Sequence, residues 1–237
     1  MTKCLIIIPT YNEKNNIVRL IEKLSDRYET KADLLIVDDS SPDGTANLAK
    51  EAAKHTKMAV HILNRAKKEG LGKAYMAGFK WALQHHYPYV ISMDADFSHR
   101  PEDVIKLLDA PENIDVVVGS RYIPGGKIVG WDFKRYANSK LANLVTRLAL
   151  GLKPKDVTSG FKRYNQAFLG SLDQNNVISS GYAFQVEMLL HAADAGLKIA
   201  EVPIIFVDRT EGESKISGEL KRSAKIIWRL FLTRLRK

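Results

Sequence analysis

Short apolar runs, each stopping abruptly on polar or turn-forming residues and followed by helical periodicity, set the pattern of the first half of the chain. Cys4 to Ile8 gives way to Pro9-Thr10-Tyr11-Asn12-Glu13 and then, from about Asn15, to Ile17, Leu20, Ile21 and Leu24 at helical spacing. Leu34 to Val37 runs into Asp38-Asp39-Ser40-Ser41-Pro42-Asp43-Gly44-Thr45, a turn-rich loop before a helix reaching about Lys54. Val60 to Leu63 precedes a helix over Leu71 to Leu83, Tyr89 to Met93 precedes the loop Asp94 to Arg100, and Val116 to Val118 ends in Gly119-Ser120-Arg121-Tyr122. Pro101 with Glu102 and Asp103 suits the first turn of a helix. Runs that are apolar throughout belong to strands buried on both faces. The pattern therefore predicts an α/β fold, a mostly parallel sheet with helices on both sides.

The second half is less periodic. It predicts a helix over about Tyr136 to Leu150, a break at Lys153-Pro154, a loop over Asp156 to Phe161 and a helix over Ala183 to Ala195. Lys198 to Val207 reads as an edge or late strand interrupted by Pro203, and the polar, charged stretch Asp208 to Gly218 as a mobile loop. The chain closes in a helix whose Leu220, Ala224, Ile227, Phe231 and Leu235 form one stripe, widened by Trp228 and Leu230. Lys221, Arg222, Lys225, Arg229 and Arg236 take its flanks or opposite side. With no internal repeat or linker, residues 1–217 read as one domain and 218–237 as a basic amphipathic appendage.

Composition narrows the class. A chain of 237 residues, 45% hydrophobic, can bury a sizeable core. A formal net charge of +9 attracts anions, whether nucleic acid, nucleotide phosphates or an acidic membrane surface. One cysteine, Cys4, rules out an internal disulfide and suits a reducing compartment. The N-terminal apolar run is too short for the core of a signal peptide, and no stretch approaches the length of a membrane span, so the expected location is cytoplasmic.

Several motifs carry no chemistry on inspection. Gly70-Leu71-Gly72-Lys73 lacks the spacing of a phosphate loop, His85-His86 diverge on a helix without Cys or His partners, and no Gly-x-Ser-x-Gly elbow is present. What remains is a set of acids at the ends of strands, Glu13, Asp38, Asp39, Asp94 and Asp96, and of cations in later loops, Arg121, Arg135, Arg209 and Lys215. Asp94-Ala95-Asp96 either caps the following helix or shares a hard cation, alone or together with a sugar hydroxyl. A crevice lined this way suits a diphosphate-linked substrate, with Mg²⁺ or Mn²⁺ as Lewis acid on one side and cations against the phosphates on the other. The same acids repel a nucleic-acid backbone, so no nucleic-acid partner is expected.

Six blocks, in order along nearly the whole chain, resemble the signatures of dolichyl-phosphate (polyprenyl-phosphate) mannosyltransferases of glycosyltransferase family 2. They are Pro9 to Glu13, Asp38 to Thr45, Met93 to His99, Gly119 to Tyr122, Thr158 to Phe161, and Val207-Asp208-Arg209-Thr210-Glu211-Gly212-Glu213-Ser214-Lys215. The resemblance implies the GT-A fold and inverting transfer of mannose from GDP-mannose to a polyprenyl or dolichyl phosphate. It implies that Pro9, Tyr11, Glu13, Val37 and Asp39 hold the nucleoside, Asp94 and Ala95 the nucleotide-sugar, and Asp96 the metal. Ser98 stands where some relatives carry a metal-ligating Gln, and Arg121, Arg209 and Lys215 would surround the phosphates, with Arg135 a candidate for the lipid phosphate. A phosphate acceptor needs no general base, and Glu187 reads as structural or substrate-positioning. The alternatives are a UDP-glucose or related donor, and a catalytically inactive nucleotide-sugar-binding protein. The C-terminal helix either packs on the domain or binds acidic membranes peripherally; an insoluble acceptor favours the latter, with an anchoring partner protein as the other route.

Overall fold

The apolar runs become β1 (Cys4–Thr10), β2 (Ala32–Asp38), β3 (Val60–Asn64), β4 (Tyr89–Ser92) and β5 (Val116–Ser120). Between them run α1 (Ile17–Tyr28), α2 (Thr45–Ala53), α3 (Leu71–Gln84) and a single 3₁₀ turn, Pro101–Asp103, continued by α4 (Val104–Leu108). The structure, a computed structural model, describes residues 3–173, 177, 182–208, 226–232 and 234. After β5 come β6 (Lys127–Val129), α5 (Phe133–Leu150), β7 (Lys162–Asn165), α6 (Gln166–Ser171), α7 (Tyr182–Asp194), β8 (Ile199–Pro203) and β9 (Ile205–Val207).

Seven of these strands form one sheet in the order β3-β2-β1-β4-β7-β5-β8. β7 runs antiparallel to both neighbours, and the other pairs are parallel. The chain moves outward from β1 to β3 and then returns across β1 to β4. That reversal makes a switch point at the carboxyl ends of β1 and β4, where open α/β sheets hold their ligands.

Alternation along β1 splits the core into two layers. Leu5 and Ile7 join Tyr75, Phe79 and Phe184 beneath α3 and α7. Cys4, Ile6 and Ile8 join Ile17, Leu20, Ile21 and Leu24 beneath α1. Gly78 lets α3 lie against the sheet, because a Cβ there would sit 2.8 Å from Ile7 Cγ2.

Three expectations from the sequence change. The predicted strand over Lys198 to Val207 is two strands: β8 closes the main sheet beside β5, and β9 crosses to pair with β6. Pro203 marks the crossing, consistent with proline's place at strand ends. β6, β7 and α6 are additional elements. α5 starts three residues before Tyr136, because the Asp132 side chain accepts the Arg135 N–H at 2.7 Å and caps the helix. Of the predicted C-terminal helix, residues 226–232 and 234 are helical. The predicted mobile loop, beyond Asp208, and with it Arg209 and Lys215, lies outside the described residues. No helix among the described residues is long and apolar enough to cross a membrane.

Candidate active site

Two loops at the switch point are laced together. Asp38, the last residue of β2, is 1% exposed and serves the loop that follows, accepting from Thr10 Oγ1 (2.9 Å), Ser41 N (2.8 Å) and Ser41 Oγ (2.6 Å). Asp43 accepts from Thr45 N and Lys14 N, while the N–H groups of Asn12 and Glu13 donate to Ser41 Oγ and Thr45 Oγ1. Asp39, one residue further on, pairs with Arg65. Tyr11 is half-buried with the Lys68 ammonium 3.7 Å from its ring centre, and Pro9 and Glu13 are also half-buried. Val37 is fully buried in the core, so its side chain can only form the floor of this side.

Asp94 and Asp96 follow β4 at the same end of the sheet. The Asp94 N–H donates to His99 Nδ1 at 3.2 Å, and Tyr75, from α3, donates to Asp94 Oδ1 at 3.4 Å. Asp96 Oδ1 accepts the Ser98 N–H at 3.0 Å, an Asx turn that fixes the second carboxylate. Ala95 is buried. Positive φ angles at Asn12 (62°), Ser40 (55°) and Phe97 (61°) put one non-glycine residue of each strand-end loop in the left-handed region. Such residues cost on the order of 1–3 kcal/mol each and cluster at functional sites.

The opposite wall is built on Arg121. Its guanidinium grips the fully buried Asp156 with two parallel bonds of 2.7 Å, donates to Thr158 Oγ1 at 2.9 Å, and lies near the rings of Tyr122, Trp131 and Phe206. Burial opposes ionisation of Asp156, yet the Arg121 charge and hydrogen bonds outweigh it and hold the carboxyl below its ordinary value. The loop from Asp156 to Phe161 is then tied down along its length. Asn143 Oδ1 accepts from Val157 N, Ser159 Oγ donates to Gly119 O, and Ser92 Oγ donates to Gly160 O. Gly119 has to be glycine, since a Cβ would lie 2.8 Å from Phe161 Cδ1. Arg135, at the start of α5, pairs with Asp208 at 2.6 Å and lies over Trp131.

The structure thus brings Asp94, Asp96, Ser98 and Arg121 to one end of the sheet, with Pro9 near the end of β1 and Tyr11, Glu13 and Asp39 on the neighbouring loops. Sequence reasoning placed Arg121 among cations facing phosphates; in the structure its Nε and Nη2 hold Asp156 and Thr158. It assigned no role to His99, Asp156, Gly160, Lys162 or Gln185. His99 and the Asp156 loop were visible as polar residues inside otherwise recognisable blocks. Lys162 and Gln185 carried no signal, because a buried amine and amide look like surface residues in a sequence.

The donors available to a metal are the carboxylates of Asp94 and Asp96 and the Ser98 hydroxyl, whose Oγ is buried without a hydrogen-bond partner among the described residues. These are hard oxygen donors, too few to form a closed protein cage, and they fit an ion such as Mg²⁺ or Mn²⁺ that takes its remaining ligands from substrate and water. Glu187 is 2% exposed and lies within 4.0 Å of His191 on the same helix.

Comparison with known proteins agrees with this geometry. A family model described as Glycosyl transferase family 2 matches residues 5–172. The undecaprenyl-phosphate mannosyltransferase of Micrococcus luteus is 43% identical over 224 residues, 94% of this chain and 91% of that protein. The polyprenol monophosphomannose synthase of Mycolicibacterium smegmatis is 42% identical over 223 residues, 94% of this chain and 84% of its own. Among solved structures, glucosyl-3-phosphoglycerate synthase from Mycobacterium tuberculosis with uridine-diphosphate superposes with a TM-score of 0.72 at 20% identity, covering 98% of this chain and 80% of that one. The same enzyme with Mn²⁺, uridine-diphosphate and glucosyl-3-phosphoglycerate gives 0.70 at 19% identity, covering 95% and 77%. At that identity the likeness is one of fold, the GT-A fold.

Proposed function

The chain belongs to glycosyl transferase family 2, and from that premise we propose that it moves mannose from GDP-mannose to the phosphate of a polyprenol, with inversion at the anomeric carbon. One observation carries the choice of reaction: nearly the whole chain is more than 40% identical to two enzymes named for mannosyl transfer to prenyl phosphates. The site supports it chemically. A phosphate acceptor is already anionic at neutral pH and needs no general base, and the acid nearest to that role in the sequence, Glu187, is packed away.

In this reading Tyr11, Glu13 and Asp39 hold the nucleoside over the floor made by Pro9 and Val37, and Asp94 with Ala95 orients the nucleotide-sugar. Asp96, with Ser98 beside it, would hold Mg²⁺ or Mn²⁺, which supplies positive charge against the departing diphosphate. His99 keeps Asp94 in register, and Arg121 keeps the Thr158 to Phe161 loop against the site. Arg135 is the assigned grip on the lipid phosphate, and Arg209 and Lys215 are assigned to the donor phosphates on the family resemblance. The acceptor places the reaction at the cytoplasmic face of a membrane, with the protein bound peripherally, by itself or through an anchoring partner.

Incubating the purified protein with radiolabelled GDP-mannose, a polyprenyl phosphate and Mg²⁺ or Mn²⁺ tests this. Label should enter the organic phase. Label entering from UDP-glucose alone would move the donor assignment, and nucleotide-sugar binding without any transfer would make the protein an inactive binder.

A further inference from the structure

α5 is amphipathic in the wrong sense for a helix facing water. Its inward side is largely polar: Ser139 Oγ bonds the Tyr122 hydroxyl at 2.8 Å, and Asn143 and Thr146 are buried ahead of Leu150. Asn143 also holds the loop of the candidate site, through Thr158 Oγ1 at 3.0 Å. Its outward side is apolar. Leu141 (59% exposed), Leu144 (43%), Val145 (57%) and Leu148 (67%) follow the i, i+3, i+4, i+7 spacing of one stripe, with Phe133 (85%) at the leading end. Scattered exposed leucines are ordinary, but a whole helical stripe is a contact surface.

We propose that α5 is the element that docks this protein on a bilayer, its apolar face in the acyl boundary and its cations among anionic headgroups. The inference rests on the reading that the acceptor is a lipid phosphate. Charge selects the lipid as occupant: from Phe133 to Leu150 the helix carries Lys134, Lys140 and Arg147, besides the Arg135 that pairs with Asp208, and no acid, within a chain of net charge +9. A surface depression of about 380 Å³ on the same face is lined by Phe133, Tyr136, Ala137, Lys140, Leu141 and Leu144, which offers an acyl chain a seat beside a cation. The described residues of the C-terminal helix have less apolar surface left to give. Leu230 is buried and Ile226, Ile227 and Phe231 pack on the core, leaving Trp228 and Leu232 exposed. That helix meets the end of α5, where the Arg234 guanidinium donates to Leu150 O, so the two form one continuous side of the molecule. Because the polar side of α5 holds the Thr158 loop and carries Arg135, docking through its other side would bring the site to the lipid surface in a fixed orientation.

Flotation of the full chain with vesicles of phosphatidylcholine and phosphatidylglycerol, containing no prenyl phosphate, tests the docking apart from the reaction. Wild type should float at low salt and less so at high salt. Val145→Glu/Leu148→Glu and the uncharged Val145→Gln/Leu148→Gln should each lower vesicle partition at least about tenfold. Both should keep the wild-type thermal midpoint and the wild-type turnover on a short, water-soluble prenyl phosphate. Variants that float like wild type, or a wild type that ignores the vesicles, would overturn the proposal. So would a wild-type dimer that the variants turn into monomers without any change in flotation, since the face would then join two copies. A protein that floats through α5 yet transfers no mannose would overturn the reaction and leave the docking standing.

Discussion

The backbone N–H of Asp94 donates to Nδ1 of His99 across 3.2 Å, so the histidine ring, five residues downstream, sets the direction in which the first acid of the site leaves β4. As acceptor, Nδ1 carries no proton, and burial holds the imidazole below its ordinary pKa, which agrees with a neutral ring protonated at Nε2. The ring is also stacked on Phe161, with centres 5.1 Å apart. His99→Phe keeps the stack and removes the acceptor, leaving a backbone donor unpaired at a cost of about 1–3 kcal/mol. Turnover should fall at least about tenfold with the fold intact. Wild-type kcat in the variant, measured under donor saturation, would show that the ring only packs.

Arg121 and Asp156 should behave as one unit. Removing one member of a buried ion pair strands the other, at about 3–5 kcal/mol. Asp156→Asn and Arg121→Met should therefore each lower the unfolding free energy by several kcal/mol, and Arg121→Lys should not rescue, because an ammonium cannot reproduce two parallel bonds. Urea unfolding of the singles and the double variant gives the coupling. A double variant destabilised by the sum of the singles would show that the pair does not act together.

Much of this was legible in the sequence, for a physical reason. β1, β2, β4 and β5 are buried on both faces and so are written as unbroken apolar runs, and the acids that follow stand out against them. β7 was not legible, although it lies between β4 and β5, because it reads Lys162-Arg163-Tyr164-Asn165. The Arg163 side chain reaches distant backbone instead of water: it is 2% exposed, and its two Nη atoms donate to the carbonyls of Leu107, Ala110 and Pro111. α5 was recognised by period, yet its direction was hidden, since periodicity reports that a helix has two sides and not which one meets the protein. The acids at the site could be found from position alone. The residues behind the site, His99 at Asp94 and Asp156 at Arg121, needed the tertiary contacts.

The metal assignment makes a separate prediction. Asp96→Asn retains a side-chain oxygen to accept the Ser98 N–H, so the Asx turn and the thermal midpoint should be preserved. The lost negative charge should lower turnover at least about 100-fold, or about 2.7 kcal/mol. EDTA should abolish wild-type transfer, and Mg²⁺ or Mn²⁺ should restore it. Full activity in EDTA would sink the assignment.

The last prediction concerns the buried amine of Lys162. Its Nζ donates to Ser159 O and to Gln185 Oε1 (2.9 Å) beneath the Thr158 to Phe161 loop. Burial pushes the ammonium from its ordinary 10.5 down to about 7, against the attraction of Asp156. A neutral amine still has two N–H groups, enough for both acceptors, so the loop can be held without the charge. The sign of the linkage follows from proton counting. Between pH 7 and 10.5 the unfolded chain keeps this proton and the folded chain has released it, so stability rises with pH across that window. As pH falls through the same window the stability is lost, and below it both states are protonated and the dependence ends. Lys162→Met should flatten the rise between neutral and mildly alkaline pH while lowering stability through the missing hydrogen bonds. Thermal midpoints of wild type and variant across that range decide the matter. A wild type with no rise, or a variant that keeps it, would mean that Lys162 stays charged in the core and that its oxygen partners, rather than burial, set its proton.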